Sequence, residues 1–115
     1  MAINIHHREG VIILELSGKI FGPSALELKK TFDEHIARCS GTPKFLLDFA
    51  DVTVMGSSGL GALTGAHVAV QQGGGLVALA NVGTNIQNLI IRSKLIDVFE
   101  PFDSQDEAIE ALNAD

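Results

Sequence analysis

A chain of 115 residues with a 46% hydrophobic share has material for a single core, and the expectation is one domain over residues 1–115. The balance of 14 acidic against 8 basic side chains gives a net charge of −6, with no Lys/Arg cluster interleaved with aromatics, which argues against a nucleic-acid partner. Cys39 is the only cysteine, which excludes an internal disulfide and a thiolate zinc cluster, and the opening MAINIHHREG lacks a basic region followed by an apolar stretch, so the expectation is a cytoplasmic protein without a secretory signal.

Ile3 to His6 and Val11 to Leu16 are short apolar runs separated by the polar HREG, which predicts two strands joined as a hairpin. In FGPSALELKKTFDEHIARCSG the residues Ala25, Leu28, Phe32, Ile36 and Cys39 recur at intervals of three or four, the spacing of one helical face. Pro23 and the pair Ser24 and Glu27 mark the start of that helix as a capping box, and Gly41 and Pro43 stop it. KFLLDF is an apolar run too short for a helix and reads as a central strand buried on both faces. After ADVTVMG the pattern turns helical from about Ser57 to Gln72, with Leu60, Leu63, His67 and Val70 on one stripe. Gly61 and Gly65 lie on a neighbouring stripe; since a helical glycine costs about 1 kcal/mol, they predict close packing there.

The triple glycine Gly73 to Gly75 precedes the strand LVALA, and Thr84 with Gln87 opens a third helix that turns Ile86, Leu89 and Ile90 inward. VFEPF reads as a last short strand limited by Pro101, and Ser104 with Glu107 opens a terminal helix carrying Ala108, Ile109 and Leu112. This alternation implies an α/β fold with a mixed sheet of about five strands, about four helices and right-handed crossovers. Whether the helices cover one face of the sheet or both is not set by the sequence, and the short chain suits a one-sided arrangement. No Asp, Glu, Lys or Arg occurs from Val52 to Ile91, yet Gln71 to Gly75 interrupts the stretch, so no membrane insertion is expected. The uncharged stretch fits either a surface solvated by Thr, Gln and Asn or the centre of an interface.

The serines in VMGSSGLGAL pose the functional question. A serine-hydrolase elbow needs Gly-x-Ser-x-Gly, and the second glycine falls at Leu60 instead; none of His6, His7, His35 and His67 is placed by sequence to serve Ser58 as a base. The dinucleotide fingerprint meets Thr64 where its third glycine belongs, and the Gly-Lys-Ser/Thr of a phosphate-binding loop is absent. No catalytic residue, metal site or cofactor is therefore expected; His67 reads as a core or boundary histidine and Cys39 as packing at the end of the first helix. Ser57 reads as the helix cap, and Ser58 as a hydroxyl facing solvent at the positive end of the helix dipole, where a phosphate is tolerated.

The hairpin, LDFADVTVMGSSGLGAL and LIDVFEPFDSQDEAIEAL together resemble the STAS domain, as found in bacterial anti-sigma factor antagonists, over nearly the whole chain. Asp48, Val52, Ser57, Ser58, Gly59 and Leu60 match the family's pattern of Asp, apolar, Ser, Ser, Gly, Leu. The resemblance implies a STAS-like domain that binds an anti-sigma factor which is also a serine kinase, frees a sigma factor, and is released when the second serine, here Ser58, is phosphorylated; a serine phosphatase resets it. It implies a binding surface of Phe21, Gly22, Pro23 and Ser24 with Gly56, Ser57, Ser58, Gly59 and Leu60, and a homodimer is admitted as a further assembly. Gly56 departs from the family's usual Asp, which predicts slow or absent phosphorylation. The alternative that resemblance leaves open is an unphosphorylated scaffold module or a subunit of a lipid-transport complex.

Overall fold

The structure, a computed structural model, describes residues 2–38, 41–93 and 101–114. Strands β1 (Ala2–Arg8) and β2 (Val11–Ile20) form an antiparallel hairpin in which Ile5 stands opposite Leu14. Glu9 and Gly10 have φ of 50° and 78°, and positive φ at both central residues is what a primed two-residue turn requires to follow the twist of its strands. Helix α1 (Pro23–Arg38) carries the chain over to β3 (Lys44–Met55), which pairs parallel to β2. Helix α2 (Ser57–Gln72), β4 (Leu76–Ala80), α3 (Thr84–Arg92), β5 (Pro101–Phe102) and α4 (Gln105–Asn113) follow. The sheet order is β1-β2-β3-β4-β5, with every pair after the hairpin parallel, so KFLLDF is central as its composition predicts.

The layering that the sequence left open is two-sided. Alternation along β3 sends Phe45, Leu47 and Phe49 to one face, where they pack with Leu28 and Phe32 of α1, Leu63 of α2 and Ile86 of α3. The same alternation sends Leu46 to the other face, beside Val11, Ile13, Ala78 and Ala80. That second apolar face would be left in water without a cover, and Ala108, Ile109 and Leu112 of α4 supply it. The chain therefore forms three layers, with three helices on one face and one on the other.

Helix starts fall where Ser24, Thr84 and Ser104 predict them to within two residues, but the capping chemistry holds at one of the three. Ser104 is a true cap, its hydroxyl accepting the Glu107 N–H at 3.1 Å. Pro23 is already the first residue of α1, so Ser24 lies inside the helix and the Gly22 carbonyl accepts the Ala25 N–H instead. Thr84 begins α3 behind Gly83, and no side chain caps that end. Cys39 and the Val98 to Glu100 part of the predicted last strand lie outside the described residues; Pro101 and Phe102 pair with β4.

The α4 face also carries a polar clamp. Asp48, 8% exposed, and Glu15 are register partners on β3 and β2. The Gln105 amide nitrogen donates to Asp48 Oδ2 at 2.6 Å and to Glu15 Oε2 at 2.8 Å. Asp48 Oδ1 accepts the Ala50 N–H at 2.9 Å and Asn81 Nδ2 at 3.2 Å. His6 Nε2 lies 3.3 Å from Glu15 Oε1 but is not aligned for a hydrogen bond. One amide thus bridges two carboxylates and ties α4 to the centre of the sheet. Gln105→Leu keeps similar bulk and removes both bonds, so it is expected to lower unfolding free energy by about 1–3 kcal/mol in a urea titration, the cost of leaving a buried acceptor unmade.

Candidate functional site

The site is set by where two parallel strands end. β2 finishes at Ile20 and β3 at Met55, which are register partners, and the Gly56 N–H donates to the Ile20 carbonyl at 3.0 Å. The loop before α1 and the first turn of α2 therefore emerge side by side. Gly56 is the N-cap of α2 in an extended conformation, and its carbonyl accepts the Leu60 N–H at 3.2 Å.

This placement corrects the assignment of the serines. Ser57 is the first residue of the helix rather than its cap, and no side chain caps that end. Ser58 lies one residue further in the first turn, exposed, but its hydroxyl does not simply face solvent: Oγ accepts the Gly22 N–H at 2.9 Å. Gly22 has φ of 59°, in the left-handed region that suits glycine, and this directs its N–H out of the turn toward α2. The loop and the helix are joined at the predicted acceptor itself.

The most tightly packed glycine of α2 is Gly59. A β-carbon there would meet Met55 Cγ at 2.6 Å and the Ile20 carbonyl oxygen at 2.9 Å, whereas one on Gly61 would meet nothing within 4 Å. At Gly65 the nearest atom is Lys29 Cε at 3.2 Å, the far part of a flexible side chain. The expectation that Gly61 or Gly65 packs closely on a neighbouring element is therefore met at Gly65, against Lys29 of α1, and not at Gly61, where a β-carbon meets nothing. Of the residues assigned to partner binding, Phe21, Gly22, Pro23, Ser57 and Ser58 are exposed and Ser24 and Gly56 are half-buried. Gly59 and Leu60 are buried beneath them and hold the surface from below.

Between the first turns of α1 and α2 runs a groove of about 250 Å³ with Ser58 and Gly22 at one side, Leu26 and Lys29 on α1, and Gly61 and Ala62 on α2. Leu26 is 71% exposed and Phe21 49% exposed. Sequence reasoning missed Leu26, although the signal was there: it is a large apolar residue off the Ala25, Leu28, Phe32 stripe. Among the described residues no group of three or more His, Cys, Asp or Glu is placed to hold a metal ion, and no helix is long and apolar enough to cross a membrane.

Comparison with known proteins agrees with this geometry. A STAS domain family model matches residues 2–108. The anti-sigma F factor antagonist of Paenibacillus polymyxa is 28% identical over 112 residues, which cover 97% of this chain and 95% of that protein. The crystal structure of an anti-sigma factor antagonist from Mycobacterium paratuberculosis superposes with a TM-score of 0.86 at 21% identity, covering 98% of this chain and 94% of that one. A sulfate transporter family protein from Wolinella succinogenes superposes with a TM-score of 0.76 at 27% identity, covering 91% of this chain and 86% of that one.

The packing roles separate in stability measurements. Gly59→Ala is expected to cost about 1–3 kcal/mol by overpacking against Met55 and the Ile20 carbonyl. Gly61→Ala places a methyl in open space and is expected to gain up to about 1 kcal/mol of helix propensity. Thermal midpoints that move in the same direction for both variants would overturn the assignment.

Proposed function

The chain belongs to the STAS domain family, and from the surface around Ser58 we propose that it is an anti-sigma factor antagonist of a bacterial partner-switching pathway. The observation that carries this reading is an exposed Ser58 hydroxyl in the first turn of α2, bound to the Gly22 N–H and bordered by the exposed apolar side chains of Phe21 and Leu26. The 28% identical relative named as an anti-sigma F factor antagonist, matched over nearly its full length, supports it.

In this reading the partner is an anti-sigma factor that is also a serine kinase, a serine phosphatase resets the switch, and the protein acts in the cytoplasm as a binding module rather than an enzyme. Phe21, Leu26 and the groove form the apolar centre of the contact, and Ser58 is its switch. A phosphate adds a charge of about −1.5 to −2. The fold accepts it, because negative charge at a helix N-terminus is favourable by about 0.3–1 kcal/mol. Association does not, because a dianion covered by an apolar partner without a cation costs several kcal/mol in desolvation. The same group thus acts on binding while leaving the fold intact.

Gly56 sets the efficiency of the switch. As the N-cap it has backbone angles that any residue adopts, and a β-carbon there would meet Phe21 Cβ at 3.2 Å, a contact that needs a shift of a few tenths of an ångström. An Asp at this position would cap the first amides of α2 and stand one residue before the serine pair. A second reading, a STAS module of a transport assembly, is favoured by the 27% identity to the sulfate transporter family protein. Capture of partners from source cells distinguishes the two: an ATPase-fold kinase supports the switch, and transporter subunits support the module.

Three variants test the switch against the captured kinase. Ser58→Asp is expected to fold normally and lose most of its affinity, while Ser58→Ala folds and binds, both read by calorimetry and circular dichroism. Intact mass after incubation with kinase and ATP is expected to show slow or no phosphate on the unmodified protein and more on Gly56→Asp. Rapid stoichiometric phosphate on unmodified Ser58 would refute the role of Gly56, and phosphate on Ser57 would refute the assignment of the serines.

A further inference from the structure

At the opposite end of the domain from Ser58, where β2 and β3 begin, a cavity of about 390 Å³ opens between the hairpin and the C-terminal end of α1. Its volume lies within the range of small-molecule sites. His7 of β1 and Ile12 of β2 form one wall, and His35 and Arg38, one turn apart on α1, form the other. Gly10, Thr42 and Lys44 complete the rim. Every ionisable residue lining the cavity is of the basic type, in a chain whose net charge is −6.

Two basic groups elsewhere on the surface are held by carboxylates. Arg8 is paired with Asp106 at 2.7 Å and Lys29 with Asp33 at 3.1 Å. Arg38 makes no ion pair among the described residues. The His35 Nδ1 donates to the Thr31 carbonyl at 2.9 Å, which fixes the ring against its own helix and makes it a wall of the cavity rather than a donor to an anion. Lys44 is the exception: its ammonium donates to Asn113 Oδ1 at 2.9 Å, so it contributes charge near the cavity rather than a contact inside it. Basic residues in the last turn of a helix also complement its dipole, which accounts for His35 and Arg38 as sequence neighbours. It does not account for His7, which lines the same cavity from strand β1.

We infer that this cavity is a binding site for a small organic anion, whose carboxylate or phosphate is held by the Arg38 guanidinium with the His7 imidazole and whose apolar part packs on Ile12. An arginine fork presents two parallel N–H donors to such a group, and Ile12 gives an attached apolar part a surface to cover. The site is separate from Ser58 and does not rest on the switch proposed for it.

Amide chemical shifts of isotopically labelled protein, titrated with phenyl phosphate and, separately, with sodium phosphate, test the site. Phenyl phosphate is expected to produce saturable shifts at Gly10, Ile12 and Thr42, with sodium phosphate binding more weakly because it lacks the apolar part. Arg38→Gln, an exposed substitution, is expected to weaken phenyl phosphate by about tenfold or more, the worth of one charge-assisted hydrogen bond. His7→Asn on the facing wall gives a second, smaller loss, and Ser58→Ala binds as the unmodified protein does. Shifts that do not saturate, shifts mapping to another surface, unchanged affinity in Arg38→Gln, or equal affinity for the two phosphates would overturn the inference.

Discussion

The first turn of α2 rests on the end of β2 at a position where no side chain fits. Gly59 brings its backbone so near the Ile20 carbonyl and Met55 that a single added carbon would collide with both. The Gly56 N–H closes the same junction by donating to Ile20. Because the two strands are parallel and end in register, the loop after β2 and the helix after β3 are forced to leave the sheet together. The Gly22 to Ser58 hydrogen bond, the exposed pair Phe21 and Leu26, and the groove between α1 and α2 all follow from that contact.

This construction explains how one hydroxyl can be both well placed and chemically undemanding. The helix end supplies unpaired N–H groups and a positive partial charge, and the loop donates one further N–H from Gly22. In the proposed switch these groups would receive the negative charge of a phosphate on Ser58. The charge-free stretch from Val52 to Ile91 leaves no fixed cation in α2 itself to neutralise a phosphate. Lys29, on the neighbouring helix, is the charged residue that lines the groove, and its ammonium is held on Asp33.

The opposite face is built on a different principle. There the strands present carboxylates as well as apolar side chains, and α4 meets them with the Gln105 amide as well as with Ala108, Ile109 and Leu112. Two like charges on neighbouring strands repel unless a shared donor lies between them. The amide supplies that donor without adding a charge of its own. Helix α1 links the two ends of the domain, since its N-terminal loop bonds to Ser58 and its last turn walls the basic cavity.

Periodicity and punctuation determined the element order, because strands and helices of this chain differ in the repeat of their apolar residues and are separated by Gly and Pro. The central place of KFLLDF was legible for the same reason, and so were the two serines, whose surroundings spell the family's motif. What the sequence could not show depended on distances between parts far apart along the chain. The second layer of α4 was legible only in hindsight, in the alternation of Leu46 with Phe45 and Leu47. The capping patterns at Ser24 and Thr84 and the cap at Ser57 are not realised, because Pro23 already opens α1 and Gly83 and Gly56 take the cap positions of α3 and α2. Three glycines of one helix look alike as letters, yet only Gly59 faces another backbone, since helical phase relative to β2 is decided by the packing of the whole sheet. The Gly22 to Ser58 bond spans 36 residues, and no local rule relates two such positions until parallel pairing brings the strand ends together.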